Sequence, residues 1–176
     1  MKHINKKKII IATGGTGGHI FPAYSLAKNF IKSNYVVEII TDKRGLKYLD
    51  KDIVNNKNIK LILNNSATIF KKNIINLFFS AFVIFFSYIK SLVILYKTKP
   101  LIVFGMGGHA SFPVCIAART LKIPFIIYEN NILIGKSNRY LLPFAFKIFV
   151  SYHDLIGIKK QYIHKVIVTG NIIREE

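Results

Sequence analysis

Short apolar runs rich in isoleucine and valine alternate along this chain with longer stretches whose apolar residues recur every three or four positions. Lys8–Ala12, Tyr35–Thr41, Ile59–Leu63, Leu101–Phe104, Phe125–Tyr128, Lys147–Val150 and Lys165–Val168 have the length and β-branched content of strands. Between the first two, Ala23, Leu26, Ala27, Phe30 and Ile31 fall at helical spacing behind Pro22, a residue suited to a helix first turn. Pro113–Leu121 and Lys136–Phe144 read as further helices, and Ile74–Tyr96 is long enough only for a helix. Strands separated by helical crossovers predict an α/β fold, a doubly wound, mostly parallel, Rossmann-like sheet. In such sheets ligands sit at the carboxyl ends of the strands.

Two glycine-rich turns fall at those ends. Gly14, Gly15, Gly17 and Gly18 surround Thr16 and lead into His19. Glycines let a backbone turn sharply and present bare N–H groups, which beside a helix N-terminus suit a phosphate or diphosphate. The plainer alternative is a tight turn that only joins strand to helix. Gly105-Met106-Gly107-Gly108-His109-Ala110 follows another strand pattern. With Glu129 ending the next strand, it also superficially fits a dinucleotide fingerprint, so an NAD-dependent Rossmann protein stays open as a minor alternative. The two units echo each other. Gly17-Gly18-His19 precedes Phe21-Pro22, Gly107-Gly108-His109 precedes Phe112-Pro113, and the following strands end at Asp42 and Glu129. Two such turns are expected side by side on one sheet edge.

The segment Ile74–Tyr96 carries Lys90 inside it, Lys71 and Lys72 before it, and Lys97 and Lys99 after it. It is apolar nearly all round, unlike an ordinary surface crossover. Phe78, Phe79, Phe82, Phe85 and Phe86 are a candidate membrane patch, with Lys71, Lys72 and Lys90 facing anionic lipid. Burial on the sheet and a true membrane span are the alternatives.

Charge sharpens this picture. Twenty-six Lys+Arg against eight Asp+Glu give a net charge of +18, which points to an anionic partner. Only four of the basic residues are Arg, the side chain favoured for reading phosphates and bases, so an anionic membrane surface is expected and nucleic acid is not. At 176 residues and 51% hydrophobic, the chain can bury a single-domain core, and intrinsic disorder is excluded. The lone Cys115 excludes a disulfide framework and a multi-cysteine zinc site. The apolar run after the basic N-terminus, Ile9–Ala12, is too short for a secretory signal, which predicts a cytoplasmic N-terminus.

Two side chains stand out as candidate chemistry. His19 closes the first turn where a helix begins; a neutral imidazole there can take a proton from a hydroxyl, or serve only as a cap or packing residue. Glu129 is the sole carboxylate between Asp52 and Asp154 and ends an apolar strand; its plainer role is a buried ion pair that orders the loop. Asp50-Lys51-Asp52 spells a D-x-D, but no apolar strand leads into it, so a solvated loop and no metal are expected.

Taken in order, GGTGGHIFPA, GMGGHASFP, YENNILIGKSNRYL and VTGNIIR resemble the MurG glycosyltransferases, over nearly the whole chain from Ile9 to Arg174. Where this chain has Tyr128-Glu129-Asn130-Asn131 the family usually has His-Glu-Gln-Asn, and it usually has Pro at Ile172. The resemblance implies two facing Rossmann-like domains, the GT-B fold, with residues 1–176 as the acceptor-side domain and a C-terminal donor-binding domain absent from this chain. It implies transfer of N-acetylglucosamine from UDP-GlcNAc to the lipid-linked muramyl-pentapeptide of peptidoglycan synthesis, by an inverting reaction without cofactor or metal. The implied place is the cytoplasmic face of the bacterial inner membrane, peripherally bound.

Residue by residue, the resemblance implies His19 as catalytic base with Glu129 as a second candidate. It implies nucleotide-sugar contacts at Thr16, Gly17, Gly18, Asn131 and Arg174, and an acceptor diphosphate held by Gly14, Gly15, Gly105, Gly107 and Gly108. Three classes follow: an enzyme half active with a separate C-terminal polypeptide, a non-catalytic lipid-diphosphate-binding module, and the remnant of a truncated gene.

Overall fold

A computed structural model describes residues 7–49, 58–67 and 74–172. Strand β1 (Lys8–Ala12) leads into helix α1 (Gly17–Lys32), then β2 (Val36–Thr41), the one-turn α2 (Lys43–Leu46) and β3 (Ile59–Leu63). The long α3 (Ile74–Thr98) crosses back to β4 (Ile102–Gly105). There follow α4 (Ser111–Thr120), β5 (Phe125–Glu129), α5 (Lys136–Leu141), β6 (Lys147–Val150), a short 3-10 turn (Lys160–Lys165) and β7 (Val166–Val168). The strand order is β3-β2-β1-β4-β5-β6-β7, and each neighbouring pair is parallel. The expected doubly wound α/β sheet is what the chain forms.

Alternation within single strands builds both faces. In β1, Ile9 and Ile11 point to one side, where α1 adds Ala23 and Ala27; Ile10 and Ala12 point to the other, where Leu95 of α3 and Val114, Cys115 and Ala118 of α4 close the core. The order reverses between β1 and β4, whose ends are in register at Ala12↔Gly105. Both glycine turns therefore leave the sheet side by side at its topological switch point.

Pro22 does not occupy a first turn. Helix α1 begins at Gly17, so Pro22 lies one and a half turns in and cannot donate to the Gly18 carbonyl. Asn130, from the loop after β5, donates its Nδ2 to that carbonyl at 2.8 Å instead. Pro113, by contrast, lies in the first turn of α4.

Helix α3 packs inside out. Ser80, Ser87, Ser91, Leu95 and Thr98 form its buried stripe, while Phe78 is 74% and Phe86 53% exposed, with Phe79, Phe82 and Phe85 between those values. Small buried residues let the helix lie close to its neighbours. Asn64, just past β3, donates to the Ser91 hydroxyl at 2.8 Å and to the Ser87 carbonyl at 3.1 Å.

Candidate active site

The two turns touch. Gly108 has φ +75°, and a Cβ there would run into the Gly14 carbonyl; Gly107 has φ +89°, and a Cβ there would stand 2.8 Å from the His19 ring. These positions need glycine for both reasons at once. Gly105 differs: it ends the buried β4, and a Cβ would meet the Cys115 sulfur at 2.6 Å, so its missing side chain lets α4 approach the sheet rather than exposing backbone to a ligand. Gly14 is likewise enclosed, by Ala110 and Asp42.

Each strand-end carboxylate ties down a turn. Asp42 Oδ1 accepts from the N–H groups of Gly15 (3.1 Å) and Gly45 (2.8 Å), and its Oδ2 from the Arg44 guanidinium at 2.8 and 2.9 Å. Burial works against ionising Asp42, but these donors outweigh it and hold its pKa below the usual carboxylate value. Glu129 is 2% exposed. Its Oε1 accepts from the N–H and Nδ2 of Asn131 at 3.1 and 2.8 Å, and its Oε2 from the Gly135 N–H at 2.8 Å and Asn138 Nδ2 at 3.0 Å. A carboxylate offers about four lone-pair sites. All of them are directed at the loop.

His19, Gly107, Gly108, His109, Glu129, Asn131, Gly135, Lys136, Ser137 and Asn138 line one cleft of about 250 Å³. The His19 imidazole is half-buried. Burial pushes its pKa below the ordinary 6.5, against the Glu129 carboxylate and a hydrogen bond to the Met106 backbone, so the ring is neutral at pH 7. His109 is lowered too, by burial first and then by Arg44 and His19, with Asp42 opposing. Thr16 caps α1 without a side-chain hydrogen bond, and Gly17 and Gly18 follow as its first residues, with Thr16 and Gly18 exposed. The Thr13 hydroxyl holds the turn from inside by donating to the His19 carbonyl at 2.9 Å.

Of the residues expected in a site, His19, Gly107, Gly108, Glu129 and Asn131 thus share one cleft, with Thr16, Gly17 and Gly18 on the adjoining first turn of α1. Arg174, Lys71, Lys72 and the Asp50-Lys51-Asp52 motif lie outside the described residues. His109, Asn130 and Asn138 were not singled out from the sequence. For His109 and Asn130 the one available signal was a polar residue immediately after a glycine turn or strand end; Asn138, inside α5, carried none.

The five exposed phenylalanines lie on the half of α3 that precedes Ser87, Lys90 and Ser91, the residues that meet Leu63 and Asn64 at the carboxyl end of β3. An apolar groove of about 320 Å³ runs between Ala81, Ile84, Phe85 and Tyr88 of α3 and Phe112, Pro113 and Ile116 of α4. By length and composition Leu77–Thr98 is apolar enough to cross a membrane, with mean hydropathy 2.1. Lys90 is exposed but donates to the Leu63 carbonyl at 2.7 Å, which ties its ammonium to the end of β3.

Residues 9–150 match the family described as Glycosyltransferase family 28 N-terminal domain. A relative from Rickettsia prowazekii (strain Madrid E), UDP-N-acetylglucosamine–N-acetylmuramyl-(pentapeptide) pyrophosphoryl-undecaprenol N-acetylglucosamine transferase, is 38% identical over 96% of this chain. The chain spans 42% of that relative's length. Among solved structures, Acinetobacter baumannii MurG superposes with TM-score 0.69 and 24% identity over 88% of this chain and 44% of its own. UDP-GlcNAc 2-epimerase from Neisseria meningitidis, bound to UDP-GlcNAc, does so with TM-score 0.63 and 19% identity over 94% and 47%.

Proposed function

Because this chain belongs to the glycosyltransferase family 28 N-terminal domain family, we propose that it is the acceptor-binding half of an inverting glycosyltransferase. The acceptor is the lipid-linked muramyl-pentapeptide, held by its diphosphate, and the donor is UDP-GlcNAc, held mainly by a second domain of the kind the longer relatives have room for. The observation that carries this reading is the cleft itself: a neutral imidazole packed between two touching glycine turns at the switch point of the sheet.

The chemistry is one displacement. His19 takes the proton from the muramyl C4 hydroxyl as its oxygen bonds to the anomeric carbon of the donor. The bond from that carbon to the diphosphate breaks, and UDP leaves with the electron pair. Anionic diphosphates are stabilised by backbone N–H groups and helix N-termini such as that of α1. Glu129 orders the loop that carries Asn131 and is not the base, since its lone pairs are already taken.

Two tests follow. Calorimetry with a short-chain polyprenyl-diphosphate-muramyl-pentapeptide is expected to show binding to this chain, with UDP-GlcNAc binding far more weakly. These 176 residues by themselves are expected to give no detectable sugar transfer, because on this reading the donor is held mainly by a second domain; robust turnover with both substrates and no second polypeptide overturns that division of labour.

The same reading places the chain peripherally on the cytoplasmic membrane face. Phe78, Phe79, Phe82, Phe85 and Phe86 enter the lipid boundary, Lys71 and Lys72 meet the headgroups in place of Lys90, whose ammonium is held by the Leu63 carbonyl, and the diphosphate reaches the glycine turns on the same edge. Burying one phenyl ring contributes about 1.5–3 kcal/mol. Changing Phe78 and Phe82 together to Ser is therefore expected to weaken flotation with phosphatidylglycerol vesicles by more than about tenfold. Wild-type binding is expected to fall as salt rises, over the range where surface charges are screened. Vesicle binding by the double variant at the wild-type level excludes this face as the contact.

A further inference from the structure

Asn138 is 3% exposed and borders the cleft, yet among the described residues its buried Oδ1 has no donor. The orientation of the amide is dictated by its surroundings. Its Nδ2 donates to the Tyr128 carbonyl at 3.1 Å and to Glu129 Oε2 at 3.0 Å, which uses both of its hydrogens. Turning the amide over would set its oxygen against two acceptors, so Oδ1 is fixed as the unpaired atom. A buried acceptor left without a donor costs free energy comparable to a lost hydrogen bond. Glu129 holds Asn138 in this state, and Gly135, which also donates to Glu129, leads directly into α5.

We propose that Asn138 Oδ1 receives a hydrogen bond from the bound acceptor, from a hydroxyl of its amino sugar or an amide N–H of its acyl or peptide part. The inference rests on the acceptor-site reading above and deepens it. It makes Asn138 a specificity-determining residue for the sugar-peptide part of the acceptor and leaves the diphosphate to the glycine turns. It also makes Glu129 a positioning residue, acting through Asn138.

The test uses the whole chain and two probes measured by calorimetry: a short-chain polyprenyl diphosphate carrying muramyl-pentapeptide, and the same polyprenyl diphosphate without sugar or peptide. Asn138→Ala is expected to weaken the first about 3- to 10-fold and leave the second unchanged. Unchanged affinity for the first, or equal losses for both, overturns the proposal, the latter by showing that the side chain only holds the loop. Should Asn138→Ala not fold, Asn138→Ser is read by the same criteria.

Acceptor analogues lacking the C6 hydroxyl, the sugar hydroxyl that His19 does not use, or N-methylated at the first peptide amide, separate the two sources on wild-type protein without any variant. The analogue that removes the true donor binds about 3- to 10-fold more weakly to wild type and is insensitive to Asn138 substitution. Wild-type affinity for analogues covering every hydroxyl and amide donor overturns the proposal alone. Failure of wild type to bind either diphosphate probe overturns the acceptor-site reading as well.

Discussion

His19→Ala is expected to lower kcat by about 100- to 10,000-fold, the usual contribution of a general base, in a chimera joining this chain to the part of the Rickettsia prowazekii relative that it does not cover. The expectation follows from three facts about one ring. It stands against Gly107, lines the cleft, and burial holds its pKa below the ordinary 6.5, so it enters the reaction unprotonated. The sign of the pH dependence follows from that direction. A base with a lowered pKa is lost only as pH falls through that lowered value, so the acid limb of kcat/KM is expected below pH 6.5. His19→Ala should remove that limb along with the rate. Because the ring is only half-buried, the urea midpoint of the variant should stay near wild type. A variant with full kcat shows that another group takes the proton.

The second large effect is expected in stability. Glu129→Ala removes the acceptor for four hydrogen bonds that order residues 131–138. Bonds to a charged acceptor are worth about 1.5–3 kcal/mol each, but these four share one carboxylate and water replaces some of them, so a loss of about 3 kcal/mol is expected in urea unfolding. That is a large part of the usual 5–15 kcal/mol for a domain, roughly. In the chimera, activity should fall together with that stability. An unchanged urea midpoint with collapsed kcat would exchange the roles of Glu129 and His19.

The strands were legible because their information is local. Runs such as Ile9–Ala12 and Phe125–Tyr128 are β-branched or aromatic and bounded by turn residues, and a strand buried on both faces needs nothing subtler. The start of α1 was not legible. The rule that proline favours a first turn put the boundary near Pro22, whereas the helix starts at Gly17 and tolerates the proline because the Asn130 side chain, 112 residues from Gly18, donates to the carbonyl the proline leaves free. Helix α3 hid its orientation for the opposite reason: with apolar residues nearly all round, the buried side is marked mainly by Ser80, Ser87, Ser91 and Thr98, hydroxyl residues which hydrophobic patterning reads as the wet side.

Within the site, glycine spacing revealed both turns and their shared edge. It could not separate Gly107 and Gly108, which the turns' mutual contact requires, from Gly105, which packing requires. The roles of Glu129, Asn130 and Asn138 depend on which donors and acceptors the folded loops bring within 3 Å or so of one another. No residue spacing carries that information.

The bond from Asn130 to the Gly18 carbonyl has a mechanical consequence. An ordinary helix start is held by its own ladder and moves as part of its helix. Here one rung is missing, and its place is taken by a strut anchored in the loop after β5. The His19 turn and the Glu129 loop therefore form one linked frame, although they belong to strands separated by β4 in the sheet. The strut meets the peptide immediately before His19, so the β5 loop and the histidine share one direct polar contact. His19 and the wall opposite it are thereby joined across the sheet edge, rather than carried on two independent flaps.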